Sequence, residues 1–249
     1  MKKILITLLF LSSTYIFSNP VWVEYYIKVD SPQSAAKIVE ATDNLMSSNY
    51  VEKNFKGSLH LNTWIANGSD ESTHVFAVLQ PSMTEHYNYM QNLQQSKVGQ
   101  KYFSALRANS TNVSERINSF IETYGTPTND DIYWILHEFS AQPSDLEKII
   151  KAHQKMDDGI KGDFPGQFGL SSVAYGSGEV THILTVGYSS IAELESWEDG
   201  VGSNKPVQDF LKSMDRMVVW KGSKVLTNSR VYDSASDLEQ FVTKDFEPF

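Results

Sequence analysis

The sequence contains an internal repeat, which constrains the fold more than any other feature. The segment Thr73–Val78 (THVFAV) aligns with Thr181–Val186 (THILTV) at a spacing of 108 residues. The spacing is kept downstream, where it aligns Glu85 with Glu193, Tyr89 with Trp197, Tyr102 with Phe210 and Tyr124 with Tyr232. Upstream it drifts to 111 through three single-residue length changes, which fall at predicted loops. We therefore expect two divergent copies of one structural unit, joined head to tail.

Each copy has the same order of predicted elements. A first strand, rich in aromatic and β-branched residues, precedes a helix with apolar residues at helical spacing. Two strands separated by a glycine-containing turn come next, then two helices and a last strand. The predicted ranges are 21–29, 34–46, 59–65, 73–78, 82–94, 97–107 and 116–124 in copy one, and 132–139, 144–156, 168–174, 181–186, 190–199, 205–216 and 225–232 in copy two. The polar segments 109–114 and 126–131 are predicted as loops. The order β-α-β-β-α-β is that of a ferredoxin-like unit.

The first eighteen residues differ from the rest of the chain. Lys2 and Lys3 precede a nearly uninterrupted apolar stretch over 4–17, and Ser18 offers a small residue at a cleavage point. This pattern predicts a secretory signal peptide, since the stretch is short for a membrane span; an uncleaved anchor is the alternative. The chain has no cysteine, which fits a bacterial envelope compartment better than a eukaryotic secretory one. We expect an exported, soluble protein in the periplasm or outside the cell, without membrane contact once the signal is removed.

The charge and the missing cysteines exclude several classes of function. The chain carries 21 Lys and Arg against 30 Asp and Glu, a formal net charge of −9. Removing the signal peptide removes two lysines and no acidic residue, so the mature charge is −11. Such a chain is a poor partner for nucleic acid. Disulfides, thiolate metal sites and a cysteine nucleophile are excluded, and no phosphate loop, serine elbow or HExxH metal motif is present.

The duplication also sets the predicted domains: signal peptide 1–18, repeat 1 over 19–125, repeat 2 over 126–233, and a tail over 234–249.

Two ferredoxin-like units in one chain resemble the dimeric α+β barrel superfamily, which includes antibiotic-biosynthesis-monooxygenase-like, Dabb-like and NIPSNAP-like proteins. The resemblance covers residues 21–232 and rests on element order and duplication. It implies an α+β fold in which two four-stranded sheets pack face to face with pseudo-two-fold symmetry. No catalytic motif of these families is recognisable, so no functional residue is carried over.

The second strand differs most between the copies. In copy one, Leu59 and Leu61 share a face that we expect to cover the helices. The opposite face carries His60, Asn62 and Trp64, where copy two has the small residues Gly169, Ser171 and Val173. A bulky polar side facing a small one would suit a lopsided cavity between two sheets, with a proton-transfer group, an amide and an aromatic wall. The alternative is a solvent-facing polar strand.

His137 is a second candidate for chemistry, on the first strand of copy two. It replaces Ile27 or Tyr26 of copy one, depending on a one-residue alignment choice, and stands near Trp134. We take His60 and His137 as catalytic candidates. A buried, hydrogen-bonded structural histidine is the alternative at either position. Trp134 and the phenol of Tyr175 are candidate ligand contacts.

The remaining histidines receive weaker functional interpretations. His74 and His182 are retained in both copies and are candidate ligand-binding residues, but a histidine next to a turn more often has a structural role. No further histidine or carboxylate lies at ligand spacing near them, so no metal site is predicted. His86 and His153 lie on predicted helices and are expected at the surface.

Three functions follow from these observations. The first is a binding protein that holds a small, partly aromatic molecule between the repeats. The second, implied by the resemblance, is a cofactor-independent monooxygenase or haem-degrading type of enzyme, with haem as the alternative to no cofactor. The third is a structural or interaction protein without a small-molecule site. Fusion of the copies permits a monomer with an intramolecular pseudo-dimer and does not exclude a homo-oligomer.

Overall fold

The computed structural model describes residues 20–125, 130–160 and 162–233. The predicted signal peptide, the tail and most of the predicted 126–131 loop lie outside the described residues. Within the described part, the chain forms eight β-strands, seven α-helices and one short 3-10 helix.

The two halves share one order of strands and long helices; a short helix is present in the first half alone and a 3-10 turn in the second half alone, among the described residues. The first half contains β1 (Val21–Val29), α1 (Pro32–Met46), α2 (Asn49–Asn54), β2 (Ser58–Ala66), β3 (His74–Gln80), α3 (Met83–Gln95), α4 (Lys97–Asn109) and β4 (Ser110–Gly125). The second contains β5 (Tyr133–Ala141), the 3-10 turn Pro143–Asp145, α5 (Leu146–Ile160), β6 (Gln167–Tyr175), β7 (His182–Tyr188), α6 (Ile191–Val201), α7 (Lys205–Met214) and β8 (Val218–Asp233). Side chains of Ser31, Ser82, Ser190 and Asn204 cap helix N-termini, as their residue types favour.

All eight strands join in one closed antiparallel barrel, in the order β1-β3-β2-β8-β5-β7-β6-β4. The sequence led us to expect two stacked four-stranded sheets. In the structure the halves are joined edge to edge instead, because β4 pairs with both β1 and β6, and β8 pairs with both β5 and β2. Each half contributes four consecutive strands of the ring, and the barrel therefore has an interior shared by both halves.

The last strand of each half is longer than predicted. β4 and β8 have 16 residues each, and the predicted loop at 109–114 was wrong. Residues 110–116 pair only with β1, and β6 joins β4 from Ile117 onward. This first part of β4 is largely exposed, and all of its residues but Val113 are polar, so it lacks the apolar alternation that identifies a half-buried strand.

The strands separate two kinds of core. One face of each strand packs against the helices, in two clusters that contain Leu59 and Leu61 in the first half and Phe168 and Leu170 in the second. The other face points into the barrel. The prediction that Leu59 and Leu61 cover the helices is confirmed. The surface prediction for two histidines was wrong, because His86 and His153 are almost completely buried.

Candidate functional site

The barrel interior contains a cavity of about 190 Å³. Its wall is mainly apolar and aromatic, and it combines residues of both halves. The aromatic rings come from five strands: Trp22 on β1, His60 on β2, Phe120 on β4, Trp134 on β5 and Phe168 on β6. The small residues Ala77, Gly169 and Ser171 line it as well. The residues that differ between the second strands of the two halves therefore face this cavity. The large side chains of β2 lie on one side and the small side chains of β6 lie on the other.

Two amide side chains give the cavity unused hydrogen-bonding capacity. Asn62 on β2 and Asn118 on β4 are each 3 % exposed and both line the cavity. The Oδ1 atoms of both residues have no hydrogen-bond partner within the described residues. A buried amide oxygen without a partner costs about 1–3 kcal/mol, because it has lost water and gained nothing in return. A ligand or water with a donor hydrogen would remove this cost.

His60 is the titratable ring in the cavity wall. Its Nε2 lies 3.1 Å from Ser58 Oγ, and its ring meets Trp22 edge to face at 5.1 Å between centroids. Burial disfavours the charged imidazolium and lowers the pKa of His60 to about 4. The imidazole is therefore neutral at pH 7, and it can accept or donate one hydrogen bond without bringing a charge into the apolar space.

An aromatic and ionic layer closes the barrel beside the cavity. Tyr26 stacks on Trp64 at 5.9 Å between ring centroids, and the Trp64 indole N–H donates to Ser72 Oγ at 3.0 Å. Both residues belong to an interior apolar cluster with Val75 and Leu226. Trp64 is thus near the cavity but does not line it.

A buried ion cluster lies in the same layer. Arg116 on β4 donates to Glu24 at 2.7 Å and to Glu138 at 2.5 Å, which joins the two halves inside the barrel. Lys224 lies 3.5 Å from Glu138. The Tyr26 hydroxyl donates to Glu24 at 2.8 Å. Glu24 also lines the cavity, so one wall of the cavity is a carboxylate whose charge Arg116 balances.

The structure separates the two catalytic candidates. Trp134 and Leu136 point into the barrel, whereas His137 points to the helices. His137 Nδ1 lies 2.8 Å from Ser223 Oγ, and burial lowers the pKa of His137 to about 4. The strand register places His137 opposite Leu184, at the position that Tyr25 occupies opposite Phe76. The alignment of His137 with Ile27 or Tyr26 was therefore wrong.

The retained histidines and Tyr175 lie away from the barrel cavity. His74 Nδ1 and His182 Nδ1 are each 2.8 Å from the hydroxyl of the preceding threonine, and His182 stacks on Phe139. These contacts match the structural interpretation more closely than a ligand site. Tyr175 is 57 % exposed at the end of β6.

Sequence reasoning missed several residues of the interior. It did not select Trp22, Glu24, Asn118, Phe120 or Arg116. A signal was available, because Trp22, Glu24 and Tyr26 alternate on one face of β1, and Arg116, Asn118 and Phe120 alternate on β4. Alternation alone does not say which face is interior, and polar residues on a buried face argue against burial until their partners are known.

Two broader features of the described residues bear on function. No described helix is both long and apolar enough to cross a membrane. Within the same residues, no group of three or more histidine and carboxylate side chains is arranged to hold a metal ion.

Comparison with known proteins relates this chain to others by fold and not by sequence. No protein-family profile matches the sequence, and no curated protein matches it. A candidate monooxygenase from Lactobacillus acidophilus superimposes with a TM-score of 0.59 at 12% identity, covering 87% of this chain and 97% of that protein. An anthrone oxidase-like protein gives 0.59 at 11% identity, covering 89% and 95%. A heme-binding protein from Thermus thermophilus gives 0.53 at 10% identity, covering 86% and 92%. The chain thus shares the dimeric α+β barrel fold with these proteins.

Proposed function

We propose that this protein binds a small, partly aromatic molecule in the barrel cavity. The observation that carries the proposal is the pair of buried amides, Asn62 and Asn118, whose Oδ1 atoms lack partners where they face an aromatic-lined space. Native proteins pair nearly all buried polar groups, so two such atoms at one cavity indicate a missing partner. An aromatic molecule with a hydroxyl or amine hydrogen supplies both the apolar surface and the donor.

The proposal accounts for the asymmetry of the barrel. His60, Asn62 and Trp22 provide one rigid side, and Gly169 and Ser171 leave room on the other. A cavity of about 190 Å³ suits one or two fused rings better than an extended ligand.

We also propose that each half is a ferredoxin-like repeat. Its four adjacent strands and the order of strands and long helices that both halves share support this proposal.

Haem does not match the residues that line the barrel cavity. A porphyrin needs a long slot, an axial ligand and basic partners for its propionates. The cavity is small, and no lysine or arginine of the described chain is among its lining residues. His60 Nε2 is already engaged with Ser58. The barrel cavity therefore does not fit haem, although the fold is shared with a heme-binding protein.

The binding proposal is tested by filling the cavity. Gly169 lines it, and a Cβ at this position would find its nearest heavy atom at 3.6 Å, an ordinary contact. Gly169→Leu should therefore fold and occupy the space. We expect 1-naphthol to bind the unaltered protein in isothermal titration calorimetry and to lose at least tenfold in affinity in Gly169→Leu.

The matched control is Gly178→Leu, because a Cβ at Gly178 meets no atom within 4 Å and the residue lies in the turn between β6 and β7. This variant adds the same side chain and should bind 1-naphthol normally. Thermal unfolding of both variants checks the fold. Equal 1-naphthol affinity in Gly169→Leu and the unaltered protein, or no binding to either, would contradict the proposal.

A second candidate function is cofactor-free oxidation of the bound molecule. It is favoured by the place of His60 in the cavity wall, where its uncharged imidazole can accept a hydrogen bond from a hydroxyl of the bound molecule and orient that hydroxyl. A hydroquinone bound there would lose two protons and two electrons to dioxygen, giving a quinone and hydrogen peroxide. Oxygen uptake with 1,4-naphthohydroquinone should exceed the protein-free rate. It should fall to that rate in His60→Gln, while binding of 1-naphthol is retained. Uptake that is unaffected by His60→Gln would rule out this role.

Export to the periplasm or beyond remains a proposal that rests on residues 1–18 alone. Detection of the chain beginning at residue 19 in a culture or periplasmic fraction would test it. The same sample, analysed by native mass spectrometry, would show whether the chain is a monomer or an oligomer. It would also show whether a small molecule copurifies.

A further inference from the structure

A second cavity lies outside the barrel wall, between the strands of the second half and helices α5, α6 and α7. It encloses about 290 Å³. Its wall is rich in rings, which are contributed by Phe164, Phe168, Tyr188, Trp197, Phe210 and Trp220. We call this space the helix-side cavity. It is separate from the barrel cavity, although Phe168 borders both.

The first half fills the corresponding space with a hydrogen-bonded pair. Tyr25 occupies the position of His137, and its hydroxyl lies 2.7 Å from His86 Nε2 on α3. The repeat spacing of 108 places Leu194 at the position of His86. His137 is shorter than tyrosine and its Nδ1 turns to Ser223, while leucine offers no polar partner. Of these two second-half residues, His137 lines the helix-side cavity, where it presents a shorter side chain than Tyr25.

Two further divergent positions shape the mouth of the helix-side cavity. Glu198 on α6 replaces Met90, so an apolar side chain of the first half becomes a carboxylate. Trp220 on β8 replaces Asn112, and its ring lies 6.5 Å from His137 and 5.4 Å from Phe139 between centroids. His137, Glu198 and Trp220 all line the cavity. Divergence of the copies has therefore added a carboxylate and an aromatic ring to one opening.

We propose that the helix-side cavity binds an organic cation, an amine or quaternary ammonium group on an apolar body. Aromatic faces carry partial negative charge and attract cations, above all when tryptophan supplies them. Trp197 on α6 and Trp220 on β8 both line the cavity, and so does the carboxylate-bearing Glu198. This assembly offers a ring cage with one acidic group, which is the combination that recognises ammonium ligands.

The charges of the surroundings disfavour the other ligand classes. No lysine or arginine within the described residues lines the cavity, so a carboxylate or phosphate ligand would meet Glu198 without a basic partner. His137 does not supply a positive charge at pH 7, because burial lowers its pKa to about 4. Glu195 and Asp199, exposed on the same helix, add to the negative field near the mouth. A neutral apolar ligand would gain from the rings but not from the charge.

The test compares three probes of similar size. These are benzyltrimethylammonium, its uncharged carbon analogue neopentylbenzene, and the anion 3-phenylpropionate. We expect benzyltrimethylammonium to bind at least tenfold more tightly than either of the others, with quenching of tryptophan fluorescence. Equal or tighter binding of the neutral or anionic probe would overturn the proposal, as would the absence of any binding of the cation.

Variants then locate the site. Glu198→Gln should weaken the cation at least fivefold and leave neopentylbenzene unchanged. Glu195→Gln is the control, because it removes the same charge from the same helix at a residue that does not line the cavity. The double variant His137→Tyr with Leu194→His restores the first-half pair and should abolish binding of both probes.

The barrel variant Gly169→Leu separates this site from the barrel cavity, because it should leave cation binding intact. Loss of cation affinity in Gly169→Leu, or equal effects of Glu198→Gln and Glu195→Gln, would also overturn the assignment. Glu198→Gln changes no apolar contact, so the proposal stays testable if the double variant does not fold.

Discussion

The two halves of the barrel have the same framework but differ at the positions that face open space. In the first half, Tyr25 and His86 close the gap between sheet and helices with a hydrogen bond. In the second half, the same positions hold His137 and Leu194, and a cavity is present. Inside the barrel the first half again has the larger side chains, His60 and Asn62. The second half has the small residues Gly169 and Ser171, which leave space in the shared barrel cavity. The two halves thus differ in open space on both sides of the sheet, inside the barrel and under the helices.

The buried ion cluster also differs between the two halves. It gives the largest predicted effect on the free energy of unfolding. The register places Arg116 opposite Glu24, and places Lys224 opposite Leu136 at the corresponding position of the second half. Arg116 is 5 % exposed and bonds two carboxylates. Arg116→Met should lower the free energy of unfolding by about 3–5 kcal/mol, because it leaves two buried carboxylates without their strongest partner. Urea denaturation measures the loss.

The second-half counterpart provides the comparison. Lys224 is nearer the surface and lies 3.5 Å or more from its carboxylate partners, so Lys224→Met should cost about 1 kcal/mol. Adding Glu24→Leu to Arg116→Met copies the second-half residue at that position and should recover part of the loss. Equal losses for the two single variants would show that the halves do not differ in this respect.

A buried histidine of the second half predicts an acid-sensitive fold. His153 has no exposed surface, donates from Nδ1 to the Ile149 carbonyl at 2.8 Å, and replaces Thr42 of the first half. Burial lowers the pKa of His153 from 6.5 to about 4. Above pH 6.5 the ring is neutral in both the folded and unfolded states, so it contributes no pH dependence. Between pH 6.5 and 4 the unfolded state binds the proton first, so stability falls by roughly 3 kcal/mol from this residue.

The variant His153→Thr takes the first-half residue and should remove close to one proton from the pH dependence of unfolding between pH 6.5 and 4. Met156→Ala is the control, because it removes buried volume from the same helix without removing a titrating group. Urea denaturation at a series of pH values gives both slopes. His60, His86 and His137 also contribute acid sensitivity in both variants, since burial lowers the pKa of each to about 4. Identical slopes for His153→Thr and Met156→Ala would contradict the assignment.

The periodicity of apolar residues predicted most of the helices and strands. It did not predict the hydrogen-bond and ion-pair partners of the buried polar residues. The repeat and the alternation of β2 were enough to predict the element order and the face that carries His60 and Asn62. Helical spacing also places His153 on the buried face of α5, because it follows Ile149 by four residues and precedes Met156 by three. The surface position expected for His153 was nevertheless wrong. Its burial depends on a carbonyl acceptor and on the rings of Tyr124 and Phe210, and a sequence does not reveal these contacts.

Register was the other limit. Adjacent residues of a strand face opposite sides, so a shift of one position moves a side chain from the barrel to the helices. This is why His137 and His60 could be taken together from the sequence, although they lie on different faces of the wall. The same limit hid Arg116 and Asn118, which follow an exposed polar stretch of β4 and enter the barrel only where β6 begins to pair.

The smallest predicted effect concerns the amide that carries the binding proposal. Asn62→Leu keeps the side-chain size but removes an amide whose oxygen has no partner, so the free energy of unfolding should rise by about 1 kcal/mol. The second-half counterpart Ser171→Ala should change it by less than about 0.5 kcal/mol. Affinity for 1-naphthol, measured by calorimetry, should fall roughly tenfold in Asn62→Leu, because one hydrogen bond to the ligand is lost. Higher stability together with lower affinity is the result expected for a residue whose role is to bind the ligand and not to stabilise the fold. If Asn62→Leu instead destabilised the fold and left the affinity unchanged, the amide would be a structural element and the lopsided barrel would need another explanation.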